Sequence, residues 1–139
     1  MTARGKARKK ALDILYEADV RGVPAVEVLD QREDTDQAPT NPYTTELVWG
    51  VVEHAGRIDE LLATYAQGWT LDRMPAVDRN VLRIGVYEIL WADDVPDAVA
   101  ISEAVALVQS LSTDESSSFV NGLLARILEV KPHLALDGG

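Results

Sequence analysis

The chain has 139 residues, the size of one domain, and 47% of them are hydrophobic, enough for a packed core and too many for a disordered segment. It has no cysteine, and His54 and His133 are its only histidines, which excludes disulfides, thiolate chemistry and a histidine-rich metal centre. The net charge of −10 argues against nucleic acid until its distribution is read: Arg4, Lys6, Arg8, Lys9 and Lys10 put +5 on the first ten positions and leave −15 on the rest.

The first predicted helix covers about 3–20, with Ala7, Ala11, Leu15 and Ala18 at steps of three and four and Leu12, Ile14 and Tyr16 widening the stripe. Arg21-Gly22 ends it, and Pro24 opens a short helix to about residue 31. Residues 33–42 are acidic, polar and proline-containing, hence a loop. Asn41 as N-cap and Pro42 at N1 start a third helix, read as continuous from 43 to 66. Its apolar face is Val48, Val51, Val52, Ala55, Ile58, Leu62 and Tyr65, with His54 on the polar side. Gly50 and Gly56 interrupt it, for which close approach of another backbone is the usual compensation.

Asp72 is the expected cap of a fourth helix, with Pro75 in its first turn and an end near Trp91. A fifth helix follows the acidic turn at 93–97 and runs to about 111. Thr113 or Asp114 caps a sixth, which Lys131-Pro132 stops, and the tail after 132 is expected to fray. No strand alternation, repeat or interdomain linker is visible, so the expectation is a single all-α domain over 1–139, with six or seven helices packed as a bundle. No run of about 18 apolar residues is present, and no apolar stretch follows the basic start. A cytoplasmic protein is expected.

Chemistry is hard to find. There is no phosphate loop, dinucleotide fingerprint or nucleophile elbow. Asp93, Asp94 and Asp97 lack the spacing of a calcium loop and read as turn and capping acids. No catalytic residue, metal site or cofactor is therefore assigned. The basic tip carries more. Its cations stand at a helix N-terminus, where the macrodipole disfavours them, with no acid in the first turns. Screening beyond about 10 Å at 0.1 M salt lets a tip about 15 Å long act apart from the acidic body. Polyanion binding is one reading; solubilisation with local pairs such as Lys9 with Asp13 is the other. Phe119, Tyr16 and Tyr65 are possible base-stacking platforms, although their helical phase favours the core. Ser116, Ser117 and Ser118 read as capping residues.

Three segments carry a resemblance: ARKKALDILYEAD at 7–19, VDRNVLRIGVYEIL at 77–90 and VAISEAVALVQSLSTDESSSFVNGLLARI at 99–127. Together they resemble the NusB family of bacterial transcription antitermination factors over essentially the whole chain. The resemblance implies an all-helical protein of two packed helical subdomains, without catalysis or cofactor. It implies binding of boxA-type single-stranded RNA in ribosomal RNA transcripts, jointly with the ribosomal protein NusE, within an RNA polymerase antitermination complex. It assigns RNA contacts to Arg4, Lys6, Arg8, Lys9, Lys10, Tyr16, Tyr65, Ser118 and Phe119, and the ribosomal-protein surface to Asp78, Arg79 and Arg83. Gly5 and Ser118 stand where family members often carry basic residues, so the basic cluster is diluted. Asn121-Gly122 is expected to serve close helix packing. Five cations on single-stranded RNA would give a log–log salt slope of about −3.5. An adaptor or self-associating helical module, a homodimer included, is the alternative, since the acidic body favours a basic protein partner. A fragment of a fused RNA-modifying enzyme is a third reading, without any cofactor motif to support it.

Overall fold

The computed structural model describes residues 2–135; the end of the tail, 136–139, lies outside the described residues. These residues form α1 (Ala3–Arg21), α2 (Ala25–Arg32), α3 (Pro42–Glu53), α4 (Ala55–Tyr65), α5 (Ala76–Trp91), α6 (Asp97–Leu111) and α7 (Asp114–Val130), with 3-10 turns at Leu71–Arg73 and Lys131–His133. No strand occurs among them. α1, α2 and α3 pack as one subdomain and α4 to α7 as the other. α5 belongs to both, touching α1 and α3 on one side and α4, α6 and α7 on the other. That position explains its burial: ten of its residues are buried, the polar Asp78, Asn80 and Glu88 among them.

Several boundaries follow from local chemistry as expected. Asn41 Oδ1 accepts the Tyr43 N–H at 2.9 Å, and Pro42 fills N1. Thr113 Oγ1 accepts the Ser116 N–H at 3.1 Å, which makes Thr113 the cap and leaves Ser116 and Ser117 buried inside the turn. Gly22 closes α1 in the left-handed region at φ 69°, where glycine pays no steric penalty. Asp72 is not a cap. It lies in a separate 3-10 turn, and Pro75 occupies the N-cap position of α5. The chain after 132 does not simply fray, since Lys131–His133 forms a turn and Leu134 packs on the core.

The expected long third helix is two helices. The chain breaks at His54, whose backbone (φ −105°, ψ 15°) leaves the helical region. Val52 and Ala55, on either side of the break, are exposed although the continuous pattern put them inside, whereas Val48, Val51, Ile58 and Leu62 are buried as expected. His54 is not a solvated surface residue either. Its ring stacks on Trp91 at 3.9 Å with 8° between planes. The glycines differ in what they do. A Cβ at Gly50 would lie 2.2 Å from the Tyr87 ring, so a side chain and not a backbone fills that space. A Cβ at Gly85 would meet Leu124 at 2.8 Å, setting the α5–α7 approach. Gly56 has nothing nearby, and Gly122 meets only the tip of Arg126, so it does not serve close helix packing.

One buried polar cluster joins the subdomains. Arg8 of α1 is 3% exposed, and its Nε lies 3.0 Å from both carboxylate oxygens of Glu88 on α5. Tyr43 of α3 donates a short hydrogen bond from its hydroxyl to Glu88 Oε2. Glu103 of α6 stands 3.8 Å from Arg8 NH1. Burial, and then the bond to an anion, drives the Tyr43 phenol pKa far above its ordinary value. A second cluster fastens the far end of α1. Asp19 accepts from Arg79 Nε and Asn80 Nδ2 at 2.9 Å each and from Arg83 NH1 at 3.3 Å. Arg83 grips Asp59 of α4 through two bonds of 2.9 and 3.0 Å. Arg79 also donates to the carbonyls of Leu71 and Met74.

These contacts give three expected outcomes. In urea titrations Gly50→Ala should lose about 1–3 kcal/mol by overpacking, whereas Gly56→Ala should gain up to about 1 kcal/mol. Glu88→Gln keeps the shape but leaves a buried guanidinium without its anion and should cost about 3–5 kcal/mol. Tyr43 titrates near pH 10 in the unfolded chain and higher in the folded one, so its contribution is complete below pH 10 and is lost as pH rises. Stability should fall by about 1 kcal/mol by pH 11 relative to Tyr43→Phe measured in parallel.

Candidate nucleic-acid interface

The basic tip is an ordered helix end. Thr2 caps it by accepting the Gly5 N–H at 2.9 Å. Asn41 Nδ2 reaches the Ala3 carbonyl at 3.4 Å, holding the first turn against the start of α3. The five cations have separate environments. Arg8 is enclosed by Glu88, Tyr43 and Glu103, so it cannot reach a phosphate at the surface, contrary to the sequence expectation. Its neighbours supply the reason: α1 meets α5 and α3 on the face that carries Arg8. Burial opposes the charge, but Glu88, Tyr43 and Glu103 together hold its pKa above the ordinary value.

Arg4 remains 43% exposed and pairs with Asp94 at 2.5 Å while its guanidinium lies 4.4 Å over the Tyr43 ring. The Arg4 hydrogen bond lowers the Asp94 pKa, and the same bond raises that of Arg4. Lys9 pairs with Asp13 at 2.6 Å, as the i,i+4 spacing suggested. Lys10 touches Gln37 at 3.5 Å. Lys6 is exposed and takes part in no ion pair among the described residues. The tip therefore does not act apart from the acidic body, because the fold brings body acids to it.

Helical phase puts Lys6, Lys9, Asp13 and Tyr16 on the outer face of α1. Tyr16 is 41% exposed, so the phase argument for core fails there: it sits at the edge of the buried stripe, opposite Ala7 and Ala18. Tyr65 and Phe119 are both partly buried and both lie in the second subdomain. Arg126 Nε donates to the Tyr65 carbonyl at 3.0 Å, and Trp69 meets the Phe119 ring edge-on at 4.9 Å. Phe119 and Arg126 are two turns apart on one face of α7. Ser118 beside Phe119 is exposed. The link between the two halves runs through Arg79, which joins Asp19 of α1 to the 71–74 turn just beyond Trp69.

The residues expected to face a protein partner are mostly internal. Asp78 is 0% exposed, and neither of its carboxylate oxygens has a hydrogen-bond partner. Arg79 and Arg83 are spent on Asp19, Asp59 and backbone carbonyls. Sequence reasoning did not find Asp19 and Asp59 as partners of Arg79 and Arg83, Glu88 and Tyr43 as those around Arg8, or Asp94 as that of Arg4. One signal was available for Glu88: a lone charge inside the apolar run 84–90 has to be met by an opposite one.

Comparison with known proteins agrees with this fold. The NusB family model matches residues 5–129. A Nocardioides protein described as "Transcription antitermination protein NusB" is 65% identical over 135 residues, covering 97% of this chain and 100% of its own. Among solved structures, a T. maritima NusB superposes with a TM-score of 0.81 at 30% identity, over 96% of this chain and 99% of that one. The NusB chain of a crystal structure of antitermination factors NusB and NusE in complex with dsRNA gives 0.80 at 28% identity, over 91% and 96%. With the match running from the first turn of α1 to the last turn of α7, the chain belongs to the NusB family.

Proposed function

We propose that the chain is a non-catalytic, RNA-binding transcription antitermination factor acting in the cytoplasm. It binds boxA-type single-stranded RNA of ribosomal RNA transcripts together with NusE and suppresses premature termination within the RNA polymerase complex. The observation that carries this reading is the outer face of α1. On a chain of net charge −10, Lys6, Lys9 and Tyr16 stand together at the surface, with Arg4 and Lys10 flanking them. Phosphate contacts from these cations position the strand, and Tyr16, Tyr65 and Phe119 offer ring surface for bases, with Ser118 as a hydroxyl donor beside them. Arg8 is a positioning residue that seats α1. Arg79 and Arg83 act on a protein partner through the rigidity of the α1–α4–α5 junction, to which Asp78, buried without a hydrogen-bond partner, adds no polar contact. The resemblance to a NusB crystallised with NusE and dsRNA supports NusE and RNA as partners.

The adaptor reading is favoured by a different surface. Trp49 is 52% exposed on α3, in a cleft with Asp30, Glu33 and Asp34, none of which takes part in an ion pair among the described residues. Such a surface suits a basic protein and repels RNA.

Fluorescence anisotropy of a labelled boxA-type RNA beside a scrambled control, with and without NusE, separates the two. Tighter binding to boxA-type RNA, enhanced by NusE, is expected; binding of NusE without RNA in any condition would establish the adaptor. With Arg8 buried, four cations remain, and the log–log salt slope should be about −2.8. Phe119→Leu keeps the apolar contact with Trp69 and should cost about 1–3 kcal/mol of RNA affinity; a change in thermal stability alone would return Phe119 to the core.

A further inference from the structure

Arg4 is held on two sides. The Tyr43 ring lies beneath its guanidinium at 4.4 Å, and that ring is fixed because its hydroxyl is bound to Glu88. Asp94, in the turn between α5 and α6, takes Arg4 NH2 through one carboxylate oxygen at 2.5 Å. Asp94 is 63% exposed, so an incoming anion can reach the pair from solvent. A guanidinium offers five N–H donors, and Asp94 uses one of them. Asp93, its neighbour in the same turn, is exposed and takes part in no ion pair among the described residues.

We propose that Asp94 is an affinity-setting residue of the RNA site: it pairs with Arg4 in the free protein and competes with an RNA phosphate for it. This rests on the RNA-binding reading above. The carboxylate is tethered, so it competes at the high effective concentration of an intramolecular group. A lone small anion competes poorly against it. A strand already held by Lys6, Lys9 and Lys10 presents its next phosphate at a comparable effective concentration, so the exchange becomes favourable. The pair thereby favours a polyanion over isolated anions. Asp13 on Lys9 does the same one turn further on.

The test is a set of anisotropy titrations with one single-stranded RNA of about a dozen nucleotides, using the full-length chain. The proteins are wild type, Asp94→Asn, Asp93→Asn, Arg4→Ala and Arg4→Ala/Asp94→Asn. Asp93→Asn removes the same charge from the same turn without releasing Arg4, so it reports general repulsion alone. Asp94→Asn should tighten binding about two- to fivefold beyond Asp93→Asn, the range of an exposed pair. In the Arg4→Ala background Asp94→Asn should have only the effect of Asp93→Asn. Equal effects of the two asparagine variants in a protein that binds RNA would overturn the role of Asp94 and leave the RNA reading intact. Absence of RNA binding by every variant, with NusE present as well as without it, would overturn both.

Discussion

The ion pair between Arg8 and Glu88 is the constraint on which the rest of the arrangement depends. A buried pair of this kind gives little net stability over an apolar substitute, because desolvation offsets the attraction. Its effect is one of position. Glu88 can satisfy both Arg8 and the Tyr43 hydroxyl only when α1, α3 and α5 meet at one register. Slipping α1 by a residue would turn Arg8 by about 100° and leave two charges buried without partners. The same fixed Tyr43 ring then carries Arg4 on its outer face. A structural pair in the core thus places a surface cation at one defined spot.

The second cluster repeats the device at the other end of α1. Asp19 collects Arg79, Asn80 and Arg83, and Arg83 passes the connection to Asp59. Burial weakens the Asp19 carboxylate's hold on its charge, but Arg79 and Asn80 outweigh it, so its pKa falls below the ordinary carboxylate value. The two clusters pin α1 to α5 near its two ends. The exposed face between them, carrying Lys9 and Tyr16, is therefore a rigid platform. Ligand groups that bind there find their partners already in place, which lowers the ordering cost of association.

Much of the fold was legible because helix periodicity and capping chemistry are local. The α1 stripe, the Asn41-Pro42 start, the Gly22 stop and the Thr113 cap all follow from residues within one turn of each other. The break at His54 was not legible, since Val51 before it and Ile58 and Leu62 after it keep a plausible helical phase and the partner of His54, Trp91, is distant in sequence. The site divides in the same way. The Lys9–Asp13 pair is local and was readable. Arg8, Arg79 and Arg83 look like surface charges in sequence, and their acidic partners lie on other helices, while Asp78 is buried with no hydrogen-bond partner at all. Tyr16 shows the reverse error: an aromatic at the edge of an apolar stripe is assigned inward by phase, yet no helix covers that edge.

The contact between Gly50 and the Tyr87 ring has an evolutionary side. Any side chain at position 50 collides with an aromatic ring at 87, and a small residue at 87 opens a void against Gly50. Neither position can drift alone without passing through a destabilised intermediate. The two should therefore change together among descendants of this sequence, as positions that covary because they touch. The glycine in the run VWGVVEH and the tyrosine in GVYEIL constrain each other by contact, although 36 residues of chain lie between them.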